Sequence, residues 1–122
     1  MSEDILILDR RVVADELRRL VAAPFGDMVK FVADVERGVI AVGGELHADA
    51  ERVLLDSGSR SEHLWGGNYF PGRGREECLE YTSFINIRPA RGNSGMEIEG
   101  EDVRRRVREI VFALLGEGEA LA

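Results

Sequence analysis

Cysteine occurs once in these 122 residues, at Cys78, so neither an intrachain disulfide nor a cysteine metal cluster can form. A reduced cytoplasm is the expected home, and Cys78 reads as a small, partly buried hydrophobe rather than a nucleophile. Lysine is almost missing: of 16 basic side chains, all but Lys30 are arginine. That bias points to genome composition or thermal adaptation, not to a site. Long apolar runs are missing too. Ile5-Leu6-Ile7-Leu8, preceded by Glu3 and Asp4, is too short for the apolar region of a signal peptide or for a membrane span. Positive charge is in deficit, and a net charge of -7 repels the phosphates of a nucleic acid. The expectation is a soluble cytoplasmic protein with no membrane and no general nucleic-acid partner. No Gly-x-Ser-x-Gly elbow, P-loop or dinucleotide fingerprint occurs, and Ser83, Ser94 and Cys78 have no histidine close by in sequence.

What is present suffices for one core. With 44% hydrophobic residues, the length suits a single domain over residues 1–116, with a frayed tail at 117–122. Ile5 to Leu8 reads as a strand. Asp9 can cap a helix over about 11–23, whose stripe is Val13, Leu17, Leu20 and Val21. Val29, Phe31, Ala33 and Val35 alternate and, across the turn Glu36-Arg37-Gly38, lead into a returning strand at Val39 to Val42. Gly43-Gly44 turns the chain into a second helix with stripe Leu46, Ala50, Val53 and Leu54, stopped by Asp56-Ser57-Gly58-Ser59. His63 to Phe70 predicts a strand or an ordered aromatic loop, and Pro71 to Arg75 an exposed turn. Leu79 to Arg88 predicts a strand ended by Pro89, and Met96 to Glu99 a short one. The last helix, about 101–115, carries Val103, Val107, Ile110, Val111 and Leu114, with Glu101 four residues before Arg105. This order predicts an α+β fold: a mostly antiparallel or mixed sheet with about three helices packed on it.

Three constellations hold chemistry. In Gly43 to Glu51, His47 stands among acids. A strand would align His47, Asp49 and Glu51 as three metal ligands, whereas a helix keeps only His47 and Glu51 together, as a half-site for a divalent metal or a catalytic pair. The plainer alternative is an exposed first turn whose acids favour the helix dipole, with Asp49 pairing Arg52. His63, followed by Trp65 and Asn68, could complete a set with His47 and Glu51 that leaves a position for water. Trp65-Gly66-Gly67-Asn68 equally suits a core-edge tryptophan with close approach of a ligand or backbone. The third cluster is Asn86, Arg88, Arg91, Asn93 and Ser94 around Gly92. Arginine forks and free turn amides there suit a small anionic ligand. A hairpin whose arginines pair with the chain's own acids explains them too.

Gly44-Glu45-Leu46-His47-Ala48-Asp49-Ala50-Glu51, Leu54-Leu55-Asp56-Ser57-Gly58-Ser59, Leu64-Trp65-Gly66 and Glu80 to Pro89 together resemble a family of small prokaryotic proteins of unknown function. The similarity spans about Met28 to Leu115. It makes these motifs family hallmarks and assigns no catalytic role to any residue. The expected function is therefore a small-ligand or metal-binding protein, enzymatic or not. Its site would gather His47 and Glu51, His63 to Asn68, and Asn86 to Asn93 at one end of the sheet. The alternative is an interaction module, such as a homodimer that pairs sheet edges or buries Trp65, Tyr69 and Phe70.

Overall fold

Alternating apolar residues fold the middle of the chain into a hairpin that becomes the centre of a sheet. In the computed structural model, which describes residues 5–121, the hairpin strands are β2 (Val29–Asp34) and β3 (Val39–Val42), paired antiparallel with Phe31 opposite Val42 and Asp34 opposite Val39. Residues 1–4 and 122, the outer ends of the expected domain and tail and including Glu3 and Asp4, lie outside the described residues. Strand β1 (Leu6–Leu8) pairs with β3, β4 (Leu64–Tyr69) with β2, and β5 (Leu79–Glu80) with β4. The order is β1-β3-β2-β4-β5 and each pairing is antiparallel, so the fold is α+β.

Both faces of the sheet are covered. Val29, Phe31, Ala33, Ile40, Val42, Trp65 and Tyr69 face helices α1 (Ala14–Ala22) and α3 (Glu101–Leu114), packing on Leu17, Leu20 and Val21 of one and Val107, Ile110, Val111 and Leu114 of the other. Val32, Val39, Ala41 and Leu64 face α2 (His47–Asp56) and pack on Ala50 and Leu54. Two clusters on opposite faces follow from the period-two alternation of the strands. Asp34, fully buried, ties the hairpin to the end of α2. Its Oδ1 accepts the backbone N–H groups of Glu36 and Arg37 at 2.9 Å, and its Oδ2 accepts the Ser59 hydroxyl at 2.6 Å.

Several elements differ from the sequence expectation. α1 begins at Ala14, and the residue before it is Val13, with no side-chain cap, so Asp9 does not cap it. On α2 the buried stripe is His47, Ala50 and Leu54, while Leu46 stays 59% exposed. Arg52 sits 3.8 Å from Asp56 instead of pairing Asp49, and Arg105 pairs Asp102 at 3.1 Å instead of Glu101. The strand expected over Leu79 to Arg88 lasts only two residues. Continuing its register would set Gly66 opposite Thr82, but Thr82 bridges Glu97 instead, and short 3-10 turns follow at Phe84–Asn86 and Pro89–Arg91. Met96 to Glu99 contributes that single bridge and no strand. Residues 117–121, expected to fray, are held in place. The Gly118 N–H donates to Tyr69 Oη, and its carbonyl accepts the N–H groups of Gly72 and Gly74, each at 3.0 Å. Leu121 packs on the α1/α3 core.

Two glycines of β4 let neighbouring segments come close. A Cβ on Gly66 would lie 2.8 Å from Ser83 Cβ, and one on Gly67 only 2.5 Å from the Glu80 carbonyl oxygen and 2.7 Å from Phe31 Cζ. The close approach allowed by this pair is thus to the chain's own backbone and ring. Gly67→Ala must displace β5 or Phe31, an overpacking cost of about 1–3 kcal/mol. Urea denaturation is expected to show that loss, and an unchanged midpoint would contradict the contact.

Candidate functional site

The chemistry-bearing segments meet where the first turn of α2 faces β4 and the irregular segment 81–99. Gly43 and Gly44, with φ of 116° and 84°, make the corner that β3 needs to enter α2, a conformation open to glycine and strained for other residues. That corner turns His47 inward. Its Nε2 lies 2.7 Å from the Gly67 carbonyl oxygen. A carbonyl only accepts, so Nε2 carries the proton and the neutral ring keeps Nδ1 as an acceptor. Burial pushes the His47 pKa below its usual value of 6.5, and the positive charge of Lys30 pushes the same way, against the hydrogen bond to Gly67 and the nearby Asn68 amide.

Segment 81–99 is held by two buried asparagines. Asn86 Oδ1 accepts the Gly66 N–H at 2.9 Å, while its Nδ2 donates to the carbonyls of Gly66 and Met96 at 3.0 Å. Its carboxamide thus supplies β4 with the backbone-like partner that β5 is too short to give. Asn93 Nδ2 donates to the carbonyls of Asn86, Gly95 and Glu97 at 2.8–3.0 Å, and its Oδ1 accepts the Glu99 N–H at 2.8 Å. Both were candidate ligand-binding residues; their amides are spent on the chain itself.

The arginines are largely spent as well. Arg88 lies against Glu51 at 3.8 Å, with its guanidinium carbon 4.9 Å from the Trp65 ring centre. This joins all three expected segments in one contact. Its Nη1 is buried without a hydrogen-bond partner, and burial pulls its pKa down. Arg91 pairs Glu62 at 3.6 Å, and His63 Nε2 lies 3.6 Å from the same carboxylate group. Asn68 Nδ2 donates to Glu80 at 3.0 Å, and its buried Oδ1 has no hydrogen-bond partner. Glu51 therefore faces Arg88, not His47, and the catalytic pair loses its carboxylate. Among the described residues, no three His, Cys, Asp or Glu side chains are placed to hold a metal ion, so His47, Glu51 and His63 do not form the expected ligand set. Trp65, Tyr69 and Phe70 are buried at 8%, 1% and 7% exposure, which removes the expected aromatic docking surface. Cys78 is fully buried and burial raises its thiol pKa, in keeping with a hydrophobic role.

A cleft remains open beside His47. It has a volume of about 220 Å³ and is lined by Lys30, Leu46, His47, Ala48, Ser83, Phe84 and Ile85. Leu46 and Phe84, 59% and 76% exposed, form its apolar lips. Lys30 has no carboxylate within salt-bridge reach among the described residues; its ammonium lies 5.4 Å from the Phe25 ring centre. Sequence reasoning names Lys30 and Ser83 without assigning either to a binding site, and passes over Phe84. The available signal was the only lysine standing at the polar position of the most regular strand, together with a Phe that breaks the alternation after Ser83.

The model of a family described as proteins of unknown function, DUF5674, matches residues 6–114. No curated protein and no solved structure gives a significant match. No helix among the described residues is long and apolar enough to cross a membrane.

The buried neutral imidazole makes stability depend on pH. Below 6.5 the unfolded chain takes up a proton at His47 that the folded chain resists, so stability is present above that value and is lost as pH falls toward the lowered folded pKa. His47→Gln, which keeps a donor for Gly67, is expected to flatten that part of a pH–stability curve measured by thermal melting. Equal slopes in both proteins would contradict a neutral His47.

Proposed function

The chain belongs to the DUF5674 family, and for this member we propose a small-ligand-binding function centred on the His47 cleft. The ligand has a compact apolar body and one anionic end. The observation that carries this reading is a neutral, buried histidine lining one apolar-lipped cleft together with a lysine that has no carboxylate partner among the described residues. At about 220 Å³, the space takes roughly seven water-sized groups at about 30 Å³ each, which suits a short branched or aromatic carboxylate. Leu46, Phe84 and Ile85 contact the apolar body, and Lys30 meets the charge. Nδ1 of His47 is left to accept a hydrogen bond. Of the two arginines that sequence patterning favours for the anion, Arg91 pairs Glu62 away from the cleft and Arg88 is a positioning residue: the Arg88–Glu51 contact and the Asn86–Gly66 pair hold the two walls of the cleft together. Among the described residues, the donor groups for a divalent metal do not converge.

Benzoate and its neutral counterpart benzamide test the reading by NMR titration. Benzoate is expected to shift the His47 ring and Leu46 resonances. Lys30→Gln should weaken benzoate at least tenfold, about 1.4 kcal/mol, while sparing benzamide. Absence of any shift at His47, or an equal effect on both probes, would remove the ligand-binding assignment.

The exposure of Leu46 and Phe84 favours a second reading, in which the lips of the cleft meet a second copy of the chain. Light scattering across a concentration series is then expected to give a dimer mass that Phe84→Ser returns to monomer. A monomer at every concentration excludes it.

A further inference from the structure

A second cleft lies on the α1/α3 side of the sheet. It opens between Tyr81, the end of β5 and the latter half of α3, has a volume of about 350 Å³, and is lined by Arg75, Glu76, Leu79, Tyr81, Arg108 and Phe112. Two guanidinium groups share it in a chain whose net charge is -7.

The two arginines are not equally engaged. Arg75 pairs with Glu117 and has its guanidinium carbon 4.9 Å from the Phe112 ring centre. Arg108 has no carboxylate partner among the described residues. Its one hydrogen bond runs from Nη1 to Tyr81 Oη at 3.3 Å, a neutral phenol that leaves the charge uncompensated. The neighbouring arginines of α3 differ in this respect: Arg104 meets Glu97 at 2.8 Å, Arg105 meets Asp102 at 3.1 Å and Arg106 meets Glu109 at 3.8 Å. Arg104 also has its guanidinium carbon 4.7 Å from the Tyr81 ring centre, adding positive charge beside the phenol. Arg108 thus carries its charge into the cleft without a carboxylate among the described residues, the partner that an anion would supply. Glu76 is the single acid in the lining, against two arginines.

We infer that this cleft is an anion-binding site for a small organic molecule carrying one phosphate or carboxylate on an apolar body. The free donors of Arg108 present the planar fork that such groups accept in pairs, and Arg75 supplies a second positive charge from the facing loop. Leu79, Phe112 and the Tyr81 ring give the apolar body its contacts. The volume of about 350 Å³ admits a single ring with its charged group. This site shares no lining residue with the His47 cleft.

Phenyl phosphate is the probe, with phenol and inorganic phosphate as its two halves, measured by calorimetry and by NMR shifts of Tyr81 and Phe112. Phenyl phosphate is expected to bind and to shift both rings, and Arg108→Gln to weaken it at least tenfold while thermal melting shows the variant folded. Glu76→Gln should tighten binding, and Lys30→Gln should leave it unchanged, which separates this site from the other cleft. Three results would overturn the inference: no shift at either ring, phenol binding as tightly as phenyl phosphate, or unaltered affinity in Arg108→Gln. Inorganic phosphate binding as tightly as phenyl phosphate would overturn the requirement for an apolar body.

Discussion

Both faces of the sheet at β4 depend on how closely segment 79–86 approaches that strand. Gly66 and Gly67 present no side chain, and the space they leave is filled by Ser83, the Glu80 carbonyl and the Phe31 ring. Only across such a short gap can one asparagine carboxamide reach both the N–H and the carbonyl of Gly66. A buried backbone group without a partner costs about 1–3 kcal/mol, so this side-chain substitute for a strand is a condition of the fold at that edge. Asn93 extends the same principle outward by satisfying the Asn86 carbonyl before it and three backbone groups of the turn that follows.

The cleft beside His47 follows from that arrangement. One wall is the first turn of α2, aimed by the Gly43–Gly44 corner; the other is the Ser83–Ile85 turn, held by Asn86. Because the Gly67 carbonyl can only accept, it selects one imidazole tautomer without help from a carboxylate. Polar groups are few here, and each has a role set by its neighbours. The charges of the arginine-rich turn are instead paired, Arg88 with Glu51 and Arg91 with Glu62.

The sequence shows the α+β class, the order of elements and the central hairpin because these rest on local periodicity. Val29, Phe31 and Ala33 alternate, and Val107, Ile110, Val111 and Leu114 recur at helical spacing. The placement of α2 was legible to within one residue, yet that residue mattered: a stripe drawn through Leu46 puts His47 at the surface, whereas the helix buries His47 and exposes Leu46. Alternation from Leu79 to Arg88 suggested a long strand because it says nothing of tertiary hydrogen bonds. The carboxamide of Asn86 and the Thr82–Glu97 bridge compete successfully with the sheet. The convergence of Glu51, Trp65 and Arg88 agrees with the expected gathering of segments, but whether those charges would be free or paired was not a property of spacing.

Sheets present a hazard at their margins, since an unpaired strand can template the addition of another chain. Here the margins are a three-residue strand on one side and a two-residue strand on the other. Beyond β5, the Gly66 groups that would otherwise invite a foreign strand are already occupied by Asn86. A side chain cannot propagate a ladder, so the sheet stops growing there. At this stretch of β4, the asparagine that completes the fold thereby also withholds a template from a foreign strand.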